Sequence, residues 1–373
     1  MDFSARCLLR VFFYVMVFSF PCVAGSQPAE WTHFGTRPLG MGNAFVSVAD
    51  DFNALFYNPA GLARLKEMRF EIINPRVEVS YNTISLARDL VKDTKGQKSL
   101  DDILDLMREQ SGLPHYFALG FTPHVVAPHW GVGIGSKNFL SLTAHSYVVF
   151  ETEVLANVLM PISYADSLLE DRLSWGVSLK PVAAVGIQDD INVDDLDLFR
   201  SDTTGAKDSQ KQLDQLMVSG VGVGADVGLL FTPIEPLEPT LGLSITDVGG
   251  TAYKQTISTR KAPPLRQPSF NTGVSLKPLK TERTYLLLAL DSHSINQPLH
   301  YSQKFNLGME WGFSRIIKVQ AGLKSGYPTA GLQIDVELLK LRLATYTVDH
   351  GPVVGLHEKL AERRFIFEIK LLI

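Results

Sequence analysis

A period of two runs through this chain and constrains it more than anything else. From Lys304 to Phe313, Phe305, Leu307, Met309, Trp311 and Phe313 alternate with Lys304, Asn306, Gly308, Glu310 and Gly312. Successive side chains of a strand point to opposite faces, so this segment is a strand with one apolar and one polar face, not a helix repeating at 3.6. Met217 to Phe231 repeats the pattern, setting Val221, Val223, Val227 and Leu229 against Gly220, Gly222, Gly224, Asp226 and Gly228. So do Ala330 to Leu343 and the closing Arg363 to Ile373, where Phe365, Phe367, Ile369, Leu371 and Ile373 share a side. Although 45% of residues are hydrophobic, they are dispersed in short segments, and nothing beyond the first residues approaches the roughly 20 apolar positions of a membrane-spanning helix. Two architectures fit: a soluble periplasmic β protein with its apolar faces inward, and a membrane barrel with them outward.

The connections favour the barrel. About fourteen strand candidates are joined alternately by short and long segments, the asymmetry of outer-membrane barrels between periplasmic turns and outer loops. The short connections read as Pro123 to Pro128, Pro233 to Pro239, Pro278 to Arg283 and Phe313 to Arg315. The long ones read as Thr83 to Leu113, Asp189 to Gln215, Val248 to Arg266, Asp291 to His300 and Asp349 to Glu362. Met160 to Asp171 is long for its side and Ser325 to Pro328 short. Ile84 to Lys92 and Ser99 to Gln110 carry helical patterning, giving small helices in an outer loop. The expected fold is all-β: a transmembrane antiparallel barrel of about fourteen strands with both chain ends in the periplasm.

At the N-terminus Arg6 and Arg10 precede the apolar run Val11 to Phe20, and small residues follow at Val23 to Ser26, the three-part layout of a secretory signal peptide. The expected division is signal 1–24, an N-terminal segment 25–66, and a barrel 67–373. Both cysteines, Cys7 and Cys22, fall in the signal, so the mature chain carries no disulfide or catalytic thiol. A net charge of −4 without any basic stripe argues against nucleic acid.

Little of the sequence speaks for catalysis. Gly220 to Ala225 formally matches a dinucleotide fingerprint but continues as a strand, with no helix to receive a pyrophosphate. No P-loop or nucleophile elbow occurs. His115, His124 and His129 fit no zinc spacing, and the acidic stretch Asp189, Asp190, Asp194, Asp195 and Asp197 lacks the glycine-containing loop of a dedicated calcium site. The chain is expected to be no enzyme and to hold no cofactor or metal.

The segment before the first strand, near Met68, runs from Gly35 through Gly40, Gly42, Ala49, Asp50, Asp51 and Ala54 to Asn58-Pro59-Ala60-Gly61-Leu62. Asn58 bonds nearby backbone, Pro59 fixes φ, and Gly61 permits a left-handed turn. As an ordered block it resembles the N-terminal hatch of FadL-like outer-membrane proteins: a glycine-rich lead, an Ala-x-x-Asp-x-x-Ala helix, here with a shifted Asp50-Asp51 pair, and an Asn-Pro-Ala-Gly-Leu turn. The remainder looks like the shorter branch containing PorV-type and TraF-like barrels. The resemblance implies an outer-membrane location in contact with lipid, insertion by the barrel assembly machinery, and a hatch filling the lumen. It also implies passage of hydrophobic small molecules, long-chain fatty acid being the type ligand, with Phe34, Phe45, Phe52, Leu55 and Phe56 lining the pocket or anchoring the plug. PorV-type relatives imply the alternative of a non-transporting barrel that docks or shuttles secreted proteins. The alternating glycines of Gly220 to Gly228 are expected to leave room for the hatch.

Overall fold

The computed structural model describes residues 35–92, 109–144, 149–192, 216–233, 237–314, 316–336, 339–350 and 361–371. The proposed signal, the hatch lead with Phe34, most of Ser99 to Gln110, and Asp194, Asp195 and Asp197 lie outside them. Fourteen antiparallel strands close on themselves. The ring is sealed where Ala361–Leu371 pairs with Pro75–Ser80, Phe367 opposite Val77. Its longest member, Leu173–Asn192, runs beside Met217–Phe231 from Leu173 to Ile187.

Strand faces are inverted relative to a soluble protein. In Phe305–Phe313 the five odd-numbered apolar residues are exposed, while Asn306, Gly308, Glu310 and Gly312 are buried. Leu119, Leu179, Leu241, Leu290 and Phe367 are likewise exposed, and Glu78, Lys180, Asp226, Glu368 and Lys370 are buried. Charges inside and hydrocarbon outside are stable only when the outer face meets lipid. The soluble alternative is thereby excluded, since the apolar row of Phe305 to Phe313 has no core to enter.

The first four barrel strands are each broken once. Arg69–Glu71 and Pro75–Ser80 are halves of one strand; so are Pro114–Phe121 and His124–Ala127, Trp130–Gly133 and Gly135–Ala144, and Val149–Leu159 and Ile162–Leu168. Prolines at 75, 123 and 161 cannot donate to the ladder, and other groups fill the gaps. The Asn74 amide accepts from Thr122 N at 2.7 Å and donates back to its carbonyl. Ile134 N reaches Pro123 O at 2.8 Å, and Gly133 N reaches Pro161 O at 3.1 Å. Two connections read from the sequence are corrected by this. Pro123 to Pro128 is mostly strand, with its turn at Pro128 and His129, and the overlong Met160 to Asp171 contains Ile162–Leu168, leaving a turn at Leu169 to Arg172. Every described connection on that side is then short. On the other side, Ser325 (φ 54°) and Gly326 (φ 87°) make a two-residue hairpin turn.

The helix expected from Ile84 spans Tyr81–Lys92. Ser80 Oγ caps it by accepting from Thr83 N at 3.2 Å. Residues 35–65 lie inside the barrel, with short helices Thr36–Gly40 and Ala54–Tyr57 and a 3-10 helix Pro59–Arg64. No helix forms over Ala49 to Ala54. Instead the Asp51 carboxylate accepts from Asn53 N at 2.8 Å, turning the chain into Ala54–Tyr57.

Candidate functional site in the plugged lumen

The hatch is fastened by charge at one point and by backbone at two others. Arg37, in the first short helix, donates to Glu310 through Nε (2.7 Å) and Nη2 (2.8 Å), a bidentate bond across 273 residues. Its Nη1 reaches Asp50 (2.6 Å) and Asp51 (2.9 Å). Tyr285 Oη and Gln320 Nε2 complete the shell of Glu310, at 2.7 and 3.0 Å. Such forked, charge-assisted bonds are the strong class of hydrogen bond. Burial alone would push the Asp51 carboxyl up, but Arg37, with help from Arg342 and the Asn53 N–H, outweighs it and holds the group well below the usual carboxylate range.

The second fastening is Asp291 on the barrel wall, whose Oδ2 accepts from Phe45 N at 2.5 Å and Val46 N at 2.7 Å. His293 Nε2 stands 3.2 Å from the same oxygen. The third is Asn58. Its Oδ1 caps the 3-10 helix by accepting from Ala60 N at 3.2 Å. Its Nδ2 lies 2.9 to 3.3 Å from the carbonyls of Val46, Leu229 and Leu243, joining hatch to wall.

These contacts require a wall without side chains. A Cβ on Gly228 would stand 1.9 Å from Asn58 Oδ1, one on Gly242 2.7 Å from Ser47 Cα, one on Gly308 2.4 Å from Met41 O, and one on Gly322 2.6 Å from Gly42 N. Gly228 thus makes the room foreseen for the hatch. Gly220, Gly222 and Gly224 do not; their neighbours are Pro263, Ala252 and Thr251, in the connection after Thr240–Thr246. Within the hatch motif Gly42 has φ 63°. Gly61 has no positive φ, and the left-handed turn expected there is replaced by close packing, since a Cβ would meet Ala49 O at 1.8 Å. Gly40 lies against Gly331, and Pro59 and Ala60 against Gly176.

The hatch aromatics divide among several contacts. Phe45 meets Tyr57 edge-on at 5.6 Å under the Arg37 guanidinium, and Phe52 stacks on His124 at 4.2 Å with Lys370 Nζ 3.7 Å over its ring. Leu55 packs against Gly131 and Gly133. Phe56 touches an apolar patch of the inner wall that pairs Tyr116 with Phe139 and adds Leu155, Leu159, Val182 and Val218. The three histidines do not converge: His115 and His124 are buried on the wall and His129 sits at a turn, 3.4 Å from Asp166. Sequence reasoning missed Arg37, Glu310 and Asp291 as hatch fasteners. The available signal was a lone carboxylate, Glu310, on the polar face of an otherwise apolar strand.

Fold and lumen together define a transmembrane β-barrel of the outer-membrane kind, with fourteen strands and an N-terminal hatch. Neither a protein-family model nor a curated protein sequence matches the chain. Among solved structures, the TodX deltaS2S3 mutant monoaromatic hydrocarbon channel aligns over 90% of this chain and 98% of its own, with TM-score 0.54 and 13% identity. The P. putida toluene transporter TodX aligns over 92% and 99%, with TM-score 0.51 and 13% identity. A Pseudomonas aeruginosa FadL homologue aligns over 90% and 97% at TM-score 0.43 and 9% identity. The hatch-and-barrel architecture that the Asn58 to Leu62 block led one to expect is the architecture this chain has.

Proposed function

We propose that this barrel passes hydrophobic small molecules across the outer membrane and catalyses no reaction. One observation carries the reading: the inner wall, which also buries many charged side chains, has an apolar stretch, Tyr116, Phe139, Leu155, Leu159, Val182 and Val218, and it touches hatch residue Phe56. An apolar stretch inside a polar barrel offers a passing hydrocarbon about 0.8 kcal/mol for each methylene removed from water. A toluene transporter shares the fold, which agrees with an apolar cargo, either monoaromatic or a long-chain fatty acid.

The test is binding of radiolabelled toluene and long-chain fatty acid to the full-length protein folded in detergent, scored by heat-modifiable mobility. Saturable binding of either is expected, and Leu155→Gln, which removes apolar area and adds an amide, weakens it about tenfold. Absence of saturable binding to a folded barrel sinks the reading. A second reading, docking or shuttling of a secreted protein, is favoured by the completeness of the plug, in which Met41, Phe45, Leu55 and Leu62 are fully buried. A folded barrel that binds no apolar ligand would turn attention to that role.

A further inference from the structure

Below the hatch, at the short-turn end, opens a cavity of about 310 Å³. That end faces the periplasm in outer-membrane barrels. Hatch residues Asp50, Asp51 and Phe52 form part of its lining, and across the whole lining seven lysine and arginine side chains face four carboxylates. Each of those carboxylates already has a donor: Asp50 and Asp51 take Arg37, Glu71 takes Lys370 at 2.7 Å, and Asp335 takes Gln333 at 2.7 Å.

Arg342 is supplied less well. Its Nε donates to Gln333 Oε1 at 3.1 Å. Its Nη1 makes no hydrogen bond among the described residues, although the side chain is only 7% exposed. Glu368 Oε2 stands 3.9 Å away, beyond bonding reach. A buried guanidinium donor left unmade is costly, and a planar fork of this kind matches an oxyanion. Lys340 and Lys318, whose Asp335 contact is 3.7 Å, line the same cavity.

We propose that this vestibule is an anion site, in which Arg342 takes an oxyanion of the carboxylate or phosphate type while Lys318 and Lys340 supply the surrounding positive field. Two sources carry that chemistry: the head of an amphiphile, and free inorganic phosphate. The site stands on its own lining, whatever crosses the barrel.

The experiment is calorimetric titration of the full-length protein in a neutral detergent at fixed ionic strength with octanoate, octanol and inorganic phosphate. Saturable binding of octanoate or phosphate is expected, weakened at least about tenfold in Arg342→Gln, as the loss of a charge-assisted pair predicts. Octanoate binding that octanol does not displace assigns the amphiphile head; phosphate binding without octanoate binding assigns the free ion. Failure of both anions to bind, or equal affinity in Arg342→Gln, overturns the proposal. If that variant does not give a heat-modifiable barrel, the pair Lys318→Gln and Lys340→Gln replaces it, with several-fold weakening expected and unchanged affinity again overturning the site. Leu155→Gln retains anion binding, so loss of apolar binding and loss of this site are read separately.

Discussion

Where the hatch crosses Met217–Phe231, Thr240–Thr246, Phe305–Phe313 and Ile317–Lys324, the wall receives it on glycines at 228, 242, 308 and 322 and holds it with Glu310 on one of those same strands. Where Phe56 faces Pro114–Phe121, Gly135–Ala144 and Val149–Leu159, the wall offers it Tyr116, Phe139 and Leu155. The first contact is directional: forked bonds and backbone approach at van der Waals distance have one good geometry. The second is not, because apolar contact tolerates sliding and exchange for another apolar surface. The apolar contact at Phe56 is therefore the place where the plug parts from the wall most readily.

The largest effect that separates the two sides is expected from Gly308→Leu. Its side chain would enter the space of Met41 O, and because neither backbone can yield, the hatch is displaced. Single-channel recording in planar bilayers then shows an open pore where the parent is closed, and a closed Gly308→Leu barrel would contradict the glycine argument. Arg37→Ala comes next. It leaves Glu310, Asp50 and Asp51 together without their cation, and removing one partner of a buried pair costs about 3–5 kcal/mol. The hatch amides should exchange with deuterium far faster while the strand amides stay protected. Equal protection in parent and variant would show that the ion pairs are passengers of a plug held by packing alone.

The smallest effect is one of pH. Asp51 is held below its ordinary value when folded, so its contribution to the latch is complete above the unfolded aspartate pKa of about 4. It is lost as pH falls further toward the folded value. Hatch protection, corrected for the intrinsic pH dependence of amide exchange, should be flat from neutrality to about pH 4 and fall below it, and Asp51→Asn should flatten the acid limb.

Much of this was legible beforehand, and the misreadings share a cause. The row Phe305 to Phe313 announced a strand with two unlike faces, and Asn58-Pro59 announced a turn, because such signals are local: a dihedral preference, a side chain reaching two residues along. Pro123 and Pro161 misled because proline marks turns far more often than breaks within paired strands. Only the neighbouring carbonyls, supplied from strands remote in sequence, show that the ladder resumes. The glycines from Gly220 to Gly224 looked like those at Gly228 and Gly308, yet what fills the space above a glycine is decided by another part of the chain. Ala49 to Ala54 formed no helix because the Asp51 carboxylate bonded the backbone locally, while Arg37 found its main partner 273 residues away.

By itself the sequence determined the period of two, the count and polarity of the strands, and the turn at Asn58, since all of these follow from residues within a few positions of one another. Alternation is indifferent to which face is inside. That choice, the closure of fourteen strands, the pairing of Arg37 with Glu310 and the gathering of lysines and arginines beneath the hatch were decided only by the tertiary structure. Closing the ring brings together inward-facing side chains that have no proximity along the chain, and it leaves the other face no neighbour but lipid.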